Sequence, residues 1–174
     1  MRYYIHIPLP KKLKEKIAAI EFQYQGENKS EPHITLVPPL ELLEGKSEQE
    51  LINAINLVAE ACPYPFPITQ KKIGYFGNKD TIFIGVERSP ELLKLHGALR
   101  QAVSGILEPP DGPFADLPTP HITLAAHLSP EQGERAWEEL RNKDLRDQFV
   151  CGSVVLLRKS QADKCWQFAE RFSF

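Results

Sequence analysis

The sequence Pro-His-Ile-Thr-Leu occupies residues 32–36 and occurs again, letter for letter, at residues 120–124. From average residue frequencies, an accidental five-letter repeat is expected about 0.01 times in a chain of this length. The repeat therefore indicates two related half-chains, each built around one copy of the pentapeptide.

Each copy has the alternation of a β-strand. Isoleucine and threonine are β-branched and favour extended backbone, and successive side chains of a strand point to opposite faces. His33 and Thr35 therefore share a polar face, with the apolar pair turned toward a core. His121 and Thr123 repeat this arrangement. The proline before each histidine suits the first residue of a strand, because it lacks a backbone donor.

Two such strands that face one another across a cleft would present two imidazoles and two hydroxyls to one bound group. A pair of histidines with pKa values of ~6.5 suits acid–base catalysis, because one takes a proton from a nucleophile while the other protonates the leaving group. Threonine hydroxyls donate hydrogen bonds to phosphate oxygens, where charge builds during transfer. The pattern favours phosphoryl chemistry that needs no metal and no cofactor.

Secondary structure is expected to follow the same order in both halves. Apolar spacing and caps predict helices over residues 11–24, 47–61, 90–106 and 130–142. Besides the motif strands, β-rich runs predict strands over residues 2–7, 66–76, 81–86, 149–158 and 165–172. The hairpin of residues 66–86 is expected to join the first sheet, and the last two strands to close the second half as another hairpin.

This element order predicts an α+β fold with two pseudo-symmetric lobes. Each lobe is expected to be a mainly antiparallel sheet with helices packed outside, and the active cleft is expected between the lobes. We expect residues 1–174 to form a single bilobal domain, because 174 residues with 42% apolar letters suffice for one shared core.

Composition narrows the class of protein and of ligand. The formal net charge is only −2, so no electrostatic footprint for long duplex DNA is visible. Cys62, Cys151 and Cys165 form no CxxC pair and leave an odd one over. No charged-then-apolar leader or membrane-length apolar run is present, so we expect a cytoplasmic protein without membrane attachment. We also expect it to be a monomer.

The two His-x-Thr motifs resemble those of the 2H phosphoesterase superfamily, in particular its 2′,5′ RNA ligase and cyclic nucleotide phosphodiesterase branch. The resemblance covers nearly the whole chain, including the strand and turn at residues 3–10 and the strand at residues 81–86. It implies metal-independent hydrolysis of 2′,3′-cyclic phosphates of RNA ends or small nucleotides, with 2′,5′ RNA ligation as the reverse reaction. His121 is preferred slightly as the base and His33 as the acid, although a pseudo-symmetric pair can run in either sense.

Four other side chains are weighed for this site. Tyr4 and Phe83 are candidate platforms for stacking a base of the substrate, although core packing explains Phe83 equally well. His6 shares a strand face with Tyr4 and either looks into the cleft or decorates the sheet. His96 lies in an otherwise apolar helix and is interpreted as a structural histidine.

The sequence departs from the family at one position. Many family members carry an arginine two residues after the second motif tetrapeptide, where it would help neutralise the phosphate, but this chain has Ala126. Lys79, Lys72 and Arg158 are candidate replacements, whereas His127 is expected to point to the opposite face. Because this cation is missing, a non-catalytic module that binds a nucleotide or RNA end in the same cleft remains the alternative, and a structural protein with relic motifs is a further one.

Overall fold

The computed structural model describes residues 1–25, 31–62, 65–109 and 119–174. Within these ranges the chain forms four helices and eight strands, which confirms the α+β class. Most of the link over residues 108–119, expected to form one rim of the cleft, lies outside the described residues, as do most of the polar loop over residues 25–31 and Pro63-Tyr64. The elements are β1 (Arg2–Pro8), α1 (Lys11–Gln25), β2 (His33–Glu41), α2 (Glu48–Ala61), β3 (Phe66–Phe76), β4 (Thr81–Val86), α3 (Pro90–Val103), β5 (His121–Ala125), α4 (Pro130–Leu140), β6 (Gln148–Cys151), β7 (Ser153–Lys159) and β8 (Gln167–Ser173).

The strands join into one antiparallel sheet with the order β6-β3-β4-β5-β2-β1-β7-β8. The two motif strands, β2 and β5, are neighbours at its centre, and Ile34 pairs there with Ile122. The sheet therefore consists of two four-stranded halves that meet at the repeated motif.

The predicted assignment of the hairpins to these halves was wrong. The β3–β4 hairpin pairs with the second motif strand β5, not with the first sheet. One edge of β2 is occupied by β1 and the other by β5, so the hairpin adds to the free edge of β5. Alternation in a sequence shows which face of a strand is buried, but it does not name the pairing partner.

The strand predicted over residues 149–158 was also wrong, because it is two strands separated by Gly152. β6 pairs with β3 in one half of the sheet, whereas β7 pairs with β1 and β8 in the other half. The chain therefore crosses between the halves at this point. Glycine suits such a crossing, because it imposes little constraint on the backbone.

The helices begin where the sequence predicts them. Ser47 and Glu50 form a reciprocal capping box at α2, and Ser129 and Gln132 form another at α4. The buried core combines apolar residues of the helices, such as Ile17, with the Ile and Leu residues of both motif strands. The helices thus cover the Ile/Leu face of these strands, which leaves the His/Thr face available for a ligand. In the described part of the chain, no helix is long and apolar enough to cross a bilayer.

Gly133 of α4 permits a close approach to the β3–β4 turn. A Cβ at this position would overlap the backbone carbonyl of Lys79, whereas a Cβ at Gly97 of α3 meets nothing within 4 Å. Gly133→Ala is therefore expected to lower the free energy of unfolding by about 1–3 kcal/mol, because backbone must shift. Gly97→Ala is the control and should raise it by up to ~1 kcal/mol. Urea denaturation measures both; a Gly133→Ala protein of undiminished stability would contradict the close packing.

Candidate active site

The two motifs lie side by side on one face of the sheet. Antiparallel pairing through Ile34 and Ile122 sets His33 next to Thr123, and Thr35 next to His121. The neighbouring strands extend this face: His6 of β1 pairs with Thr35. The structure thus brings the four predicted motif residues together, although on adjacent strands rather than across a gap between separate sheets.

Each motif histidine is oriented by an equivalent hydrogen bond to a backbone carbonyl oxygen two residues before it. His33 Nδ1 lies 2.6 Å from the carbonyl oxygen of Glu31, and His121 Nδ1 lies 2.9 Å from that of Thr119. A carbonyl oxygen only accepts, so Nδ1 must carry the hydrogen and donate it. This leaves Nε2 of each ring as the atom that can take or give a proton. Nε2 of His33 also lies 3.1 Å from the hydroxyl of Thr35.

The two imidazoles have different surroundings. The His33 ring packs against Tyr4 and His6, with centroid distances of 5.3 and 4.9 Å. The His121 ring instead packs against Phe76 and Phe83, at 5.0 and 5.3 Å. His33 is therefore next to a second titratable ring, whereas His121 is next to two phenyl rings.

Burial lowers the pKa of all three histidines on this face. For His33, desolvation outweighs the hydrogen bond to Glu31, and a positive charge on His121 lowers the pKa further. For His121, desolvation outweighs the hydrogen bond to Thr119. Desolvation, with smaller effects of His33 and Arg171, lowers the pKa of His6 to about 2. These shifts favour neutral imidazoles, and a bound phosphate would bring the negative charge that raises their pKa values.

The two predicted stacking platforms are packed within the site. Tyr4 is 3% exposed and contacts Trp166 edge-on, with a centroid distance of 4.5 Å. Phe83 is 6% exposed and stacks on Phe76 at 4.2 Å. A Cβ at Gly74 would lie 2.9 Å from the Phe83 ring, so this glycine makes room for it. Tyr4 and Phe83 thus support the histidine rings, and their stacking on a substrate base stays a prediction.

The remaining histidines lie elsewhere. His96 is 3% exposed and is a buried residue of α3, as expected of a structural histidine. His127 follows the end of β5 and is exposed, with a backbone φ of 57° in the left-handed region. Within the described ranges, no group of three or more His, Cys, Asp or Glu side chains is arranged to hold a metal ion.

Two of the predicted replacement cations are engaged in other contacts. Lys79 forms an ion pair with Glu134 of α4, with 2.6 Å between Nζ and Oε2. Arg158 forms an ion pair with Glu48 of α2 at 2.7 Å. Both side chains therefore tie the sheet to a helix instead of facing the histidines.

Lys71 is a cation that sequence reasoning missed. The β3–β4 register shifts between Gln70 and Ile73, which is the signature of a β-bulge. A Cβ at Gly85 would lie 3.4 Å from the Cβ of Lys71, and Gly85 pairs with His121. The bulge therefore places exposed Lys71, next to the predicted Lys72, on the strand face of His121. No sequence pattern announces a bulge here, apart from the two successive lysines that break the alternation.

Comparisons with known proteins agree with this geometry. The family model of the 2′-5′ RNA ligase superfamily matches residues 9–163 of the chain. No curated protein matches the sequence.

Several solved structures share the fold. TT0787 of Thermus thermophilus superposes with a TM-score of 0.65 at 20% identity, over 99% of this chain and 97% of that one. E. coli LigT complexed with 3′-AMP gives a TM-score of 0.62 at 19% identity, again over 99% and 97%. Kluyveromyces marxianus Usb1 with uridine monophosphate gives 0.52 at 13% identity, with the same 99% and 97% coverage. At these identities the likeness establishes the fold.

Proposed function

Because the chain belongs to the 2′-5′ RNA ligase superfamily of 2H phosphoesterases, we propose that it hydrolyses 2′,3′-cyclic phosphates of RNA ends or small nucleotides. The observation that carries this proposal is the pairing of β2 with β5, which sets two His-x-Thr motifs side by side. Neighbours solved with 3′-AMP, NADP+ and uridine monophosphate support a nucleotide ligand. The absence of a cofactor, a monomeric state and a cytoplasmic location stay predictions.

The proposed reaction is an in-line displacement at phosphorus. One imidazole Nε2 takes a proton from water as the water oxygen bonds to phosphorus. The bond from phosphorus to one ribose oxygen breaks, and the other imidazole Nε2 protonates that oxygen. The Thr35 and Thr123 hydroxyls donate to the non-bridging oxygens, where charge grows. With a 5′-hydroxyl in place of water, the reverse reaction joins RNA ends through a 2′,5′ linkage without ATP.

We assign His33 as the base and His121 as the acid, which reverses the slight preference drawn from the sequence. The neighbours of the His121 ring are the phenyl rings of Phe76 and Phe83, at 5.0 and 5.3 Å, which carry no positive charge. His33 packs against another imidazole, and the positive charge of His121 lowers the pKa of His33. The proton is therefore best held on His121.

The test is hydrolysis of cyclic phosphates as a function of pH. The profile of kcat/KM should be bell-shaped, because one histidine must be neutral and the other charged. Since the pKa of each histidine is lowered in the free protein, activity should fall as pH rises through the lowered value, and the optimum should lie below about 6.5. The kcat profile should shift to higher pH, because the bound phosphate raises both values.

Two results would count against this proposal. A kcat/KM that climbs steadily to pH 8 would exclude an imidazolium acid. Nucleotide binding without any turnover would favour the alternative, a binding module, which the alanine at position 126 makes more credible. If nucleotides neither bind to the protein nor raise its thermal stability, the motifs are relics without a catalytic or binding role.

Lys71 is proposed to supply the positive charge that Ala126 does not. A charge-assisted hydrogen bond to phosphate contributes about 1.5–3 kcal/mol, so Lys71→Met should lower kcat/KM by about tenfold or more. Lys94→Met, which removes the same charge from the exposed surface of α3, should change it less than threefold. Steady-state kinetics at two salt concentrations measure both, and equal effects of the two variants would show only a general electrostatic contribution.

A further inference from the structure

A cavity adjoins the histidine pair on the side of His6, and we name it the His6 cavity. It has a volume of about 670 Å³, within the ~300–1,000 Å³ range of small-molecule sites. One wall is formed by β7, β8 and the segment before β8, and the other by α1. His6 itself is 6% exposed, and its Nδ1 has no hydrogen-bond partner among the described residues. A buried imidazole thus forms part of the cavity wall.

Aromatic side chains connect this cavity to the proposed reaction centre. Trp166 lines the cavity and packs edge-on against Tyr4, whose ring lies 5.3 Å from that of His33. Phe168 of β8 and Phe22 of α1 stand on opposite walls and are 60% and 65% exposed. Exposed aromatic rings on the walls of a cavity are the arrangement that stacks bases of single-stranded nucleic acid.

Charged side chains of both signs line the cavity. Arg171 projects from the β8 wall, where Nη1 donates a hydrogen bond to Ser153 Oγ at 3.0 Å and leaves other N–H groups for a ligand. On the helix wall, Lys14 is paired at 2.9 Å with Glu31, which precedes β2. Because Lys14 is engaged in this ion pair, a phosphodiester would follow Arg171 on the β8 wall, and a base would face the helix wall. The lining carboxylates of α1 are Glu15 and Glu21.

We infer that the His6 cavity binds the nucleotide that continues from the cyclic phosphate, so that the substrate is an RNA strand of two or more nucleotides. This inference rests on the proposed function and specifies its substrate class. A base stacked on an aromatic ring is worth about 5- to 150-fold in affinity. A trinucleotide ending in a 2′,3′-cyclic phosphate is therefore expected to exceed the cyclic mononucleotide at least tenfold in kcat/KM.

The kinetic experiment compares this ratio between variants. Phe168→Ala combined with Arg171→Met should reduce the trinucleotide-to-mononucleotide ratio from tenfold or more to less than threefold. Arg141→Met, which removes an exposed arginine at the end of α4, is the control and should keep the ratio of the unmodified protein. A ratio near one in the unmodified protein, or an unchanged ratio in the double variant, would overturn the inference and leave the proposed function standing.

A binding experiment decides the inference even if no substrate is turned over. Cys165 is exposed and lines the cavity, so its alkylation, followed by peptide mass mapping, reports whether the cavity is occupied. A trinucleotide with a 3′-phosphate should slow alkylation of Cys165 at least fivefold, whereas a 3′-mononucleotide should not. Absence of protection by the trinucleotide, or equal protection by both, would overturn the inference. Protection without turnover would support the subsite and reject the hydrolase.

Discussion

His121→Ala is expected to lower hydrolysis of a nucleoside 2′,3′-cyclic phosphate by about 10² to 10⁴-fold, which is the usual contribution of a general acid. The same variant should lose less than about tenfold on bis(p-nitrophenyl) phosphate, because p-nitrophenolate leaves without being protonated. The pairing of the two substrates isolates proton donation from binding. The substitution should also remove the alkaline limb of the kcat/KM profile, since that limb reports the loss of the proton from His121.

His33→Ala should lower the rates on both substrates by about 10² to 10⁴-fold, because each reaction requires activation of water. Its profile should lose the acidic limb instead. If His33→Ala, and not His121→Ala, keeps its activity on bis(p-nitrophenyl) phosphate, His33 is the acid and His121 is the base. Equal losses for both variants on both substrates would contradict a division of roles between them.

His127→Asn is the matched control for these two variants. His127 is exposed and adopts a φ of 57°, which asparagine tolerates better than most residues, so the substitution should leave the fold and both activities unchanged. Thermal unfolding of all three variants separates loss of catalysis from loss of structure. A large effect of His127→Asn would show that the second motif extends beyond β5.

The sequence of this protein predicts where helices and strands begin better than it predicts which strands pair with one another. Capping residues such as Ser47 and Ser129 mark helix starts through bonds to atoms three residues away, so their signal is contained in a short window. The pairing of β4 with β5 depends instead on which strand edge is free after β1 and β2 have paired. The split at Gly152 has the same origin, because only the assembled sheet places β6 and β7 in different halves.

The residues of the candidate site differ in the same way: some can be identified from the sequence, and others only from the fold. The repeat identifies His33 and His121, because a duplicated pattern is visible without knowledge of the fold. Lys71 lies on the face of His121 only through a bulge, and Arg171 lies on the side of His6 only because β8 pairs with β7. Trp166 is likewise contributed by the segment before β8. None of these three carries a local signature, since each owes its position to strand pairing at long range.

Thr35→Val and Thr123→Val are each expected to lower kcat for cyclic-phosphate hydrolysis by about 10²-fold, the scale of losing one donor to a developing oxyanion. Valine keeps the β-branched shape and removes only the hydroxyl, so the strands should remain intact. Thr69→Val, on β3, is the control and should change kcat less than threefold. Steady-state kinetics with the cyclic mononucleotide measure all three.

The two threonines should nevertheless differ in their effect on pH dependence. The Thr35 hydroxyl lies 3.1 Å from Nε2 of His33, so its removal alters the environment of the proposed base and should move the acidic limb of the profile. Thr123→Val should lower kcat without moving that limb, because the role proposed for Thr123 is to donate to the phosphate oxygens alone. If both variants retain kcat within threefold, the hydroxyls do not meet the developing charge, and the phosphate must then be bound away from the two motifs.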